Sequence, residues 1–311
     1  MSHKRPWILD YAVYLAVRLT VCVIQAVPWS WAVAAADGLA RLAYRINRRH
    51  REVARDNLRA AFPERTDADI DRLVRAVYRH LFLVVMEMIF LPRRMHLATL
   101  DRHVDYAVPG DFDRVIGLIG LNRPIIVLTG HFGNWEVLSY VLGLAGYRGG
   151  VVARPLDNPY LDRFVHQFRS RTGQTLHAKK GAFDDIQDSL TDGDGLGVLA
   201  DQDAGPRGVF VDFFGRPAST FKAIALLSLE YRAPILVLAA ARASDDLKFT
   251  LYVGDMIFPE EYDTAPDAIR AITQRYTTAL ERIVRNHPDQ YFWLHRRWKH
   301  QPAARKGKRA A

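Results

Sequence analysis

Residues 124–140 read PIIVLTGHFGNWEVLSY. An apolar, β-branched run (Ile125, Ile126, Val127, Leu128) stops at Thr129-Gly130. A short run closed by glycine suits a strand buried in a parallel sheet. Asn134 stands at an N-cap position, with Trp135 and Glu136 in the first turn of the next helix. His131 and Glu136 are therefore expected just past the carboxyl end of a strand, where open α/β sheets hold their ligands.

On one continuous helix His131 and Glu136 would be five steps of about 100° apart and would diverge. With His131 on the loop, the carboxylate can fold back onto the imidazole. A carboxylate on one ring nitrogen sets the tautomer and raises the basicity of the other. That makes His131 a candidate general base, worth about 10²–10⁴-fold in rate. The same residues also fit a His that ends a strand and a Glu favoured by the helix dipole.

From Pro124 onward strands and helices alternate. Strand candidates are Ile125–Leu128, Gly150–Ala153, Thr175–Ala178, Gly197–Ala200, Ile235–Ala240 and Phe249–Val253; helix candidates are Trp135–Leu144, Pro159–Arg171, Phe183–Leu190, Phe221–Tyr231 and Pro266–Asn286. The alternation predicts an α/β fold with a central mixed, mostly parallel sheet flanked by helices.

Upstream, Tyr11 to Trp29 is almost wholly apolar, broken by Arg18 and bracketed by Trp7, Trp29 and Trp31. A membrane span needs about 20 apolar residues, and a central Arg costs about 2.5–3.5 kcal/mol. A tilted span, an interfacial helix and a buried helix all fit; we expect a membrane-associated helix. No cleavage site follows it, so secretion is not expected. Arg41, Arg45, Arg48, Arg55 and Arg59 recur at steps of three, four and seven, which on one helix makes a basic face for anionic lipid. A solvated face offset by Glu52 and Asp56 is the alternative. Residues 67–91 carry a helical period, ending in LFLVVMEMIFL (Leu81–Leu91), and Pro92 is expected to stop the helix. The expected division is a helical, membrane-associated region over 1–100, a catalytic domain over 101–302 and a basic tail over 303–311.

The chain has 311 residues, 49% of them hydrophobic, and a net charge of +9. The charge calls for an anionic partner. The single Cys22 excludes an intrachain disulfide and a cysteine-based zinc site, and its apolar surroundings predict a small buried hydrophobe. GLGVLA (Gly195–Ala200) fits a dinucleotide fingerprint formally, but enters a strand where the fingerprint should leave one. No G-x-S-x-G elbow, P-loop or H-E-x-x-H is present, which disfavours a serine hydrolase and an NTPase.

GHFGNWE resembles the H-x-x-x-x-E/D motif of the lysophospholipid acyltransferase superfamily and, more narrowly, that of the lipid A biosynthesis acyltransferases. ARPLDNPYLD (Ala153–Asp162), DQDAGPRGVFVDFFGRPAST (Asp201–Thr220) and QYFWLHRRWK (Gln290–Lys299) resemble that family in order and spacing, so the likeness spans roughly Tyr11 to Pro302. It implies transfer of a fatty acyl chain from an acyl thioester, carried by acyl carrier protein or CoA, to a hydroxyl of a lipid A precursor or similar glycolipid. His131 is then the base and Glu136 its partner, with backbone amides near Gly133 or a nearby Arg stabilising the oxyanion. Arg154 and Arg169 match arginines that hold phosphate or carboxylate groups, a task suited to the bidentate guanidinium. Asp201 reads as a brace beside His131, and Asn158 and Asp203 join the substrate-binding set. Phe210, Phe213 and Phe214 suit either an acyl groove or plain core. No metal or cofactor is implied, nor a nucleic-acid partner; an anionic surface on the cytoplasmic face of the inner membrane is. An acyltransferase for phosphatidylinositol mannoside or an aminolipid is the alternative within this chemistry. A non-catalytic binder of anionic lipid or nucleic acid is the alternative outside it.

Overall fold

The computed structural model describes residues 6–121, 123–153, 156–170, 175–178 and 182–302. Helices α1 (Trp7–Ala26), α2 (Trp29–Ile46), α3 (Arg48–Ala61) and α4 (Asp67–Arg94) come first. The rest alternates: β1 (Val104–Tyr106), α5 (Asp111–Ile119), β2 (Ile126–Thr129), α6 (Trp135–Leu144), β3 (Gly149–Ala153), α7 (Pro159–Ser170), β4 (Thr175–Ala178), α8 (Ala182–Thr191), β5 (Gly195–Leu199), the hairpin β6 (Val209–Phe213) and β7 (Arg216–Thr220), α9 (Ala223–Glu230), β8 (Ile235–Ser244), β9 (Lys248–Ile257) and α10 (Ala268–Asn286).

Seven of the described strands form one sheet in the order β1-β9-β8-β2-β5-β3-β4. Every pair is parallel except β8–β9. The continuous apolar runs follow from burial on both faces. Ile126, Leu128, Ile235, Val237 and Ala239 enter one hydrophobic cluster, while Val127, Leu236, Leu238 and Ala240 enter the other. Side chains alternate faces along a strand, so both faces must be apolar. The N-terminal helices take part in both clusters: Tyr44, Leu58 and Val74 in the first, Ala32, Ala36, Leu83 and Phe90 in the second.

Three expectations change, and one that was open is decided. The arginine stripe does not lie on one helix: Asn47 leaves the helical region and its side chain caps α3. That break places Arg41 and Arg45 on α2, while Arg55 on α3 pairs with Glu52 and Asp71, and Arg59 with Asp67. Pro92 lies inside α4, which ends at Arg94 with the Met95 amide bonded to the Leu91 carbonyl. In the last turn a proline removes only its own hydrogen bond. Cys22 is exposed, because the outward face of α1 is uncovered. Phe213 and Phe214 are buried among Phe62, Tyr291, Trp293 and Trp298, so they belong to the core.

Candidate active site

Strands β2 and β5 are parallel neighbours with Thr129 opposite Leu199. His131 and Asp201 each lie two residues beyond those partners, so the register sets them side by side. The Asp201 carboxylate accepts from the His131 backbone N–H at 2.8 Å and from ring Nδ1 at 2.8 Å. Gly130 makes this approach possible, since a Cβ there would stand 3.1 Å from the Asp201 carboxyl carbon. Nδ1 carries its proton toward Asp201, so Nε2 is left as the basic nitrogen. Burial lowers the imidazole's pKa, but the charge and hydrogen bond of Asp201 outweigh it, and the pKa stands above its ordinary 6.5. Burial likewise opposes ionisation of Asp201, and His131 overcomes it, holding the carboxyl below its usual range.

Glu136 is placed differently from expectation. Its buried carboxylate is engaged by Arg169 on α7, with Nε at 3.1 Å from one oxygen and an Nη on the other. Nδ1 of His131 is already taken by Asp201, so Glu136 is not the hydrogen-bonded partner of the imidazole. Glu136 and Arg169 instead border a pocket walled by Val127, Leu138, Leu142, Val151 and Val198, with Tyr147 beneath. Trp135 lines the same pocket, and its ring centroid is 5.3 Å from that of His131. Through Trp135 the pocket neighbours His131. Thr129 also lines it, and its buried hydroxyl has no partner among the described residues.

A profile of the bacterial lipid A biosynthesis acyltransferases matches residues 2–300. The chain belongs to that family. It is 25% identical over 310 residues to the lipid A biosynthesis lauroyltransferase of Escherichia coli, covering 97% of this chain and 94% of that one. It is 26% identical to the lipid A biosynthesis acyltransferase of Haemophilus influenzae, covering 83% and 80%. It is also 25% identical to the phosphatidylinositol mannoside acyltransferase of Mycolicibacterium smegmatis, covering 74% of each. The chain is thus an acyltransferase.

The remaining predicted residues of this acyltransferase divide. Arg154 lies outside the described residues. Asn158 is occupied structurally: Oδ1 accepts from the Tyr160 and Leu161 amides at the head of α7, and Nδ2 donates to the Asp10 carbonyl of α1 at 2.8 Å. Asp203 accepts from His300 Nδ1 at 2.6 Å and from the Gly205 amide at 3.1 Å, and its own amide donates to His295 Nε2 at 3.0 Å. It braces the loop after β5, while its neighbour Gln202 places Nε2 3.5 Å from His131 Nε2. Arg297, also buried, donates to the Ser219 carbonyl and the Thr220 hydroxyl, at 2.6 Å each, and reaches the Gln202 carbonyl at 3.5 Å.

Residue reading missed a second group, behind the loop. Asn134 caps α6 with its oxygen and donates through Nδ2 to Glu87 at 2.8 Å. Arg242 on β8 pairs with both oxygens of Glu87 and donates to His80 Nδ1 at 2.9 Å. The other ring nitrogen of His80 donates to the Gly133 carbonyl at 3.1 Å. Burial, then the Arg242 charge, push His80 far below its ordinary pKa, so it is neutral as this geometry requires. Gly133 has φ +54, and a Cβ there would lie 2.0 Å from the Ala240 oxygen. Only glycine fits that conformation and that space. The lone carboxylate of Glu87 in an apolar helical run was the available signal, because a buried charge must be paired.

Proposed function

We propose that the protein transfers a fatty acyl chain from an acyl thioester to a hydroxyl of a lipid A-type glycolipid at a membrane. The observation that supports this reading is the His131–Asp201 pair beside an apolar pocket rimmed by Glu136 and Arg169. In the proposed step Nε2 of His131 removes the acceptor proton, and the oxygen attacks the thioester carbonyl. The C–O bond forms, the C–S bond breaks, and the imidazolium returns the proton to the departing thiol. Asp201 holds the tautomer and balances the imidazolium charge.

The oxyanion needs a donor. The nearby amides are spent: His131 N–H on Asp201, Gly133 N–H on the Gln290 carbonyl and Asn134 N–H on the Ala240 carbonyl. The Gln202 carboxamide beside Nε2 takes that role in our reading. Glu136 orients Arg169 toward an anionic group of donor or acceptor. The donor is acyl carrier protein or acyl-CoA. Association with the cytoplasmic face of the inner membrane rests on α1, whose length and hydropathy are enough to cross a bilayer and of which little is buried.

The test is transfer from radiolabelled acyl carrier protein or acyl-CoA to a lipid A precursor by the purified enzyme, with products weighed by mass spectrometry. His131→Ala is expected to lose transfer, and to lose some stability because Asp201 is left buried without its side-chain partner; full activity in that variant rejects the base assignment. Gln202→Ala is expected to lower kcat about 10²–10³-fold with KM unchanged. The likeness to a phosphatidylinositol mannoside acyltransferase supports a second acceptor class, and a mass gain on that lipid alone would select it.

A further inference from the structure

The outward face of α2 carries an apolar surface that the protein leaves bare. Trp31, Leu39, Leu42 and Ile46 are 67, 44, 54 and 71% exposed. At about 100° per residue these four and Ala35 fall within an arc of about 80°. Arg41 and Arg45 are exposed along one flank of that arc, and neither is in an ion pair among the described residues. The opposite face, with Ala32, Ala36 and Ala40, is buried and packs with Leu83, Met86 and Phe90 of α4 or in the neighbouring cluster. Helix α2 is thus docked by its small residues while its large apolar ones face out, the reverse of a water-exposed helix.

Helix α1 lies along the body. The Asp10 carbonyl accepts from Asn158 on the loop before α7, Tyr11 contacts Tyr160 at 5.2 Å, and Arg18 sits over Phe164 at 5.0 Å. At the far end Gln25 donates to the Ile89 carbonyl of α4 at 2.6 Å. A spanning helix about 30 Å long carries one end across the bilayer and away from the domain on the other side. Here both halves touch the catalytic body, and Arg18 has an aromatic partner there.

We infer that α1 and α2 form a two-helix footing that lies in the plane of an anionic leaflet, with the Trp31–Ile46 face of α2 in the acyl–headgroup boundary and Arg41 and Arg45 on lipid phosphates. This rests on, and deepens, the membrane reading above. Charge selects the occupant: arginines beside an apolar arc suit an anionic surface, whereas a second copy of the face would bring a second set of arginines close to the first.

The experiment uses the full chain with phosphatidylglycerol/phosphatidylcholine vesicles and with phosphatidylcholine alone. An environment-sensitive fluorophore is placed on the native Cys22 in α1 or, in a Cys22→Ser background, on Leu42→Cys in α2. Both probes are expected to shift to the blue on anionic vesicles and to be quenched more by shallow than by deep spin-labelled lipid. Salt at about 1 M reverses the α2 signal by screening. Leu42→Glu with Ile46→Glu should cut vesicle binding about fivefold or more and leave activity in detergent micelles unchanged. An α2 probe that stays aqueous while Cys22 inserts overturns the footing and spares the membrane reading. Quenching of Cys22 by deep lipid alone overturns the in-plane placement. Failure of both probes to respond rejects the membrane reading itself. A dimer that the double variant dissolves, with no lipid dependence, assigns the face to a second copy and overturns the proposal.

Discussion

Replacing Asp201 by Asn keeps the shape of the side chain and removes the charge facing His131. In the proposed mechanism His131 acts only when neutral, so activity should fall as pH drops through its pKa, which Asp201 holds above 6.5. In Asp201→Asn we expect kcat/KM to fall about 10²–10⁴-fold and the acidic limb of the pH–rate profile to move to lower pH. Glu136→Gln acts through Arg169: KM for the anionic substrate rises and the acidic limb stays in place. A limb that shifts in Glu136→Gln as it does in Asp201→Asn would return Glu136 to the imidazole. Strand, glycine and His131 were legible in one short stretch. The partner on Nδ1 was not, because Asp201 is 70 residues away; family likeness brought it to the site, and the register of β2 with β5 gave it the contact.

At the level of elements, the loop carrying His131 is held from behind by α4 and β8. Glu87 and the Arg242 side chain are almost fully buried, and each neutralises the other. Glu87→Ala leaves the guanidinium buried without its charge partner and frees Asn134 Nδ2. We expect a loss of about 3–5 kcal/mol in urea unfolding, and a drop in kcat larger than the unfolded fraction explains, because the loop carrying His131 loses its anchor. The ends of α6 and α7 were readable from Asn134 and from Asn158-Pro159, since caps are local chemistry. Whether Asn158 meets substrate or tethers α1 was not local, and the fold answered with the Asp10 carbonyl.

Across the whole molecule the N-terminal helices share both cores with the sheet, so we expect them to unfold together with it. Asp71 on α4 ties three of these helices, accepting from the Tyr44 hydroxyl at 2.5 Å and pairing with Arg55 and Arg75. Burial opposes its ionisation, and the hydrogen bonds from Tyr44, Arg55 and Arg75 outweigh that, lowering its pKa from 3.8 to about 2. A lowered folded pKa gives stability that is present above 3.8 and lost as pH falls through about 2. Asp71→Asn should therefore lower the melting temperature at pH 7 and flatten its decline across that acid window in calorimetry.

By itself the sequence determined the alternating α/β order, the buried strand that ends at Gly130, the capped helix after it, and the apolar length of α1. Each of these follows from patterns within a few residues of chain. Tertiary structure decided which carboxylate holds His131, that Glu136 serves Arg169, and that Glu87, His80 and Arg242 lie beneath the loop. Those outcomes depend on strand register and helix docking, which bring together side chains far apart in the chain, and spacing along the sequence carries no record of that distance in space.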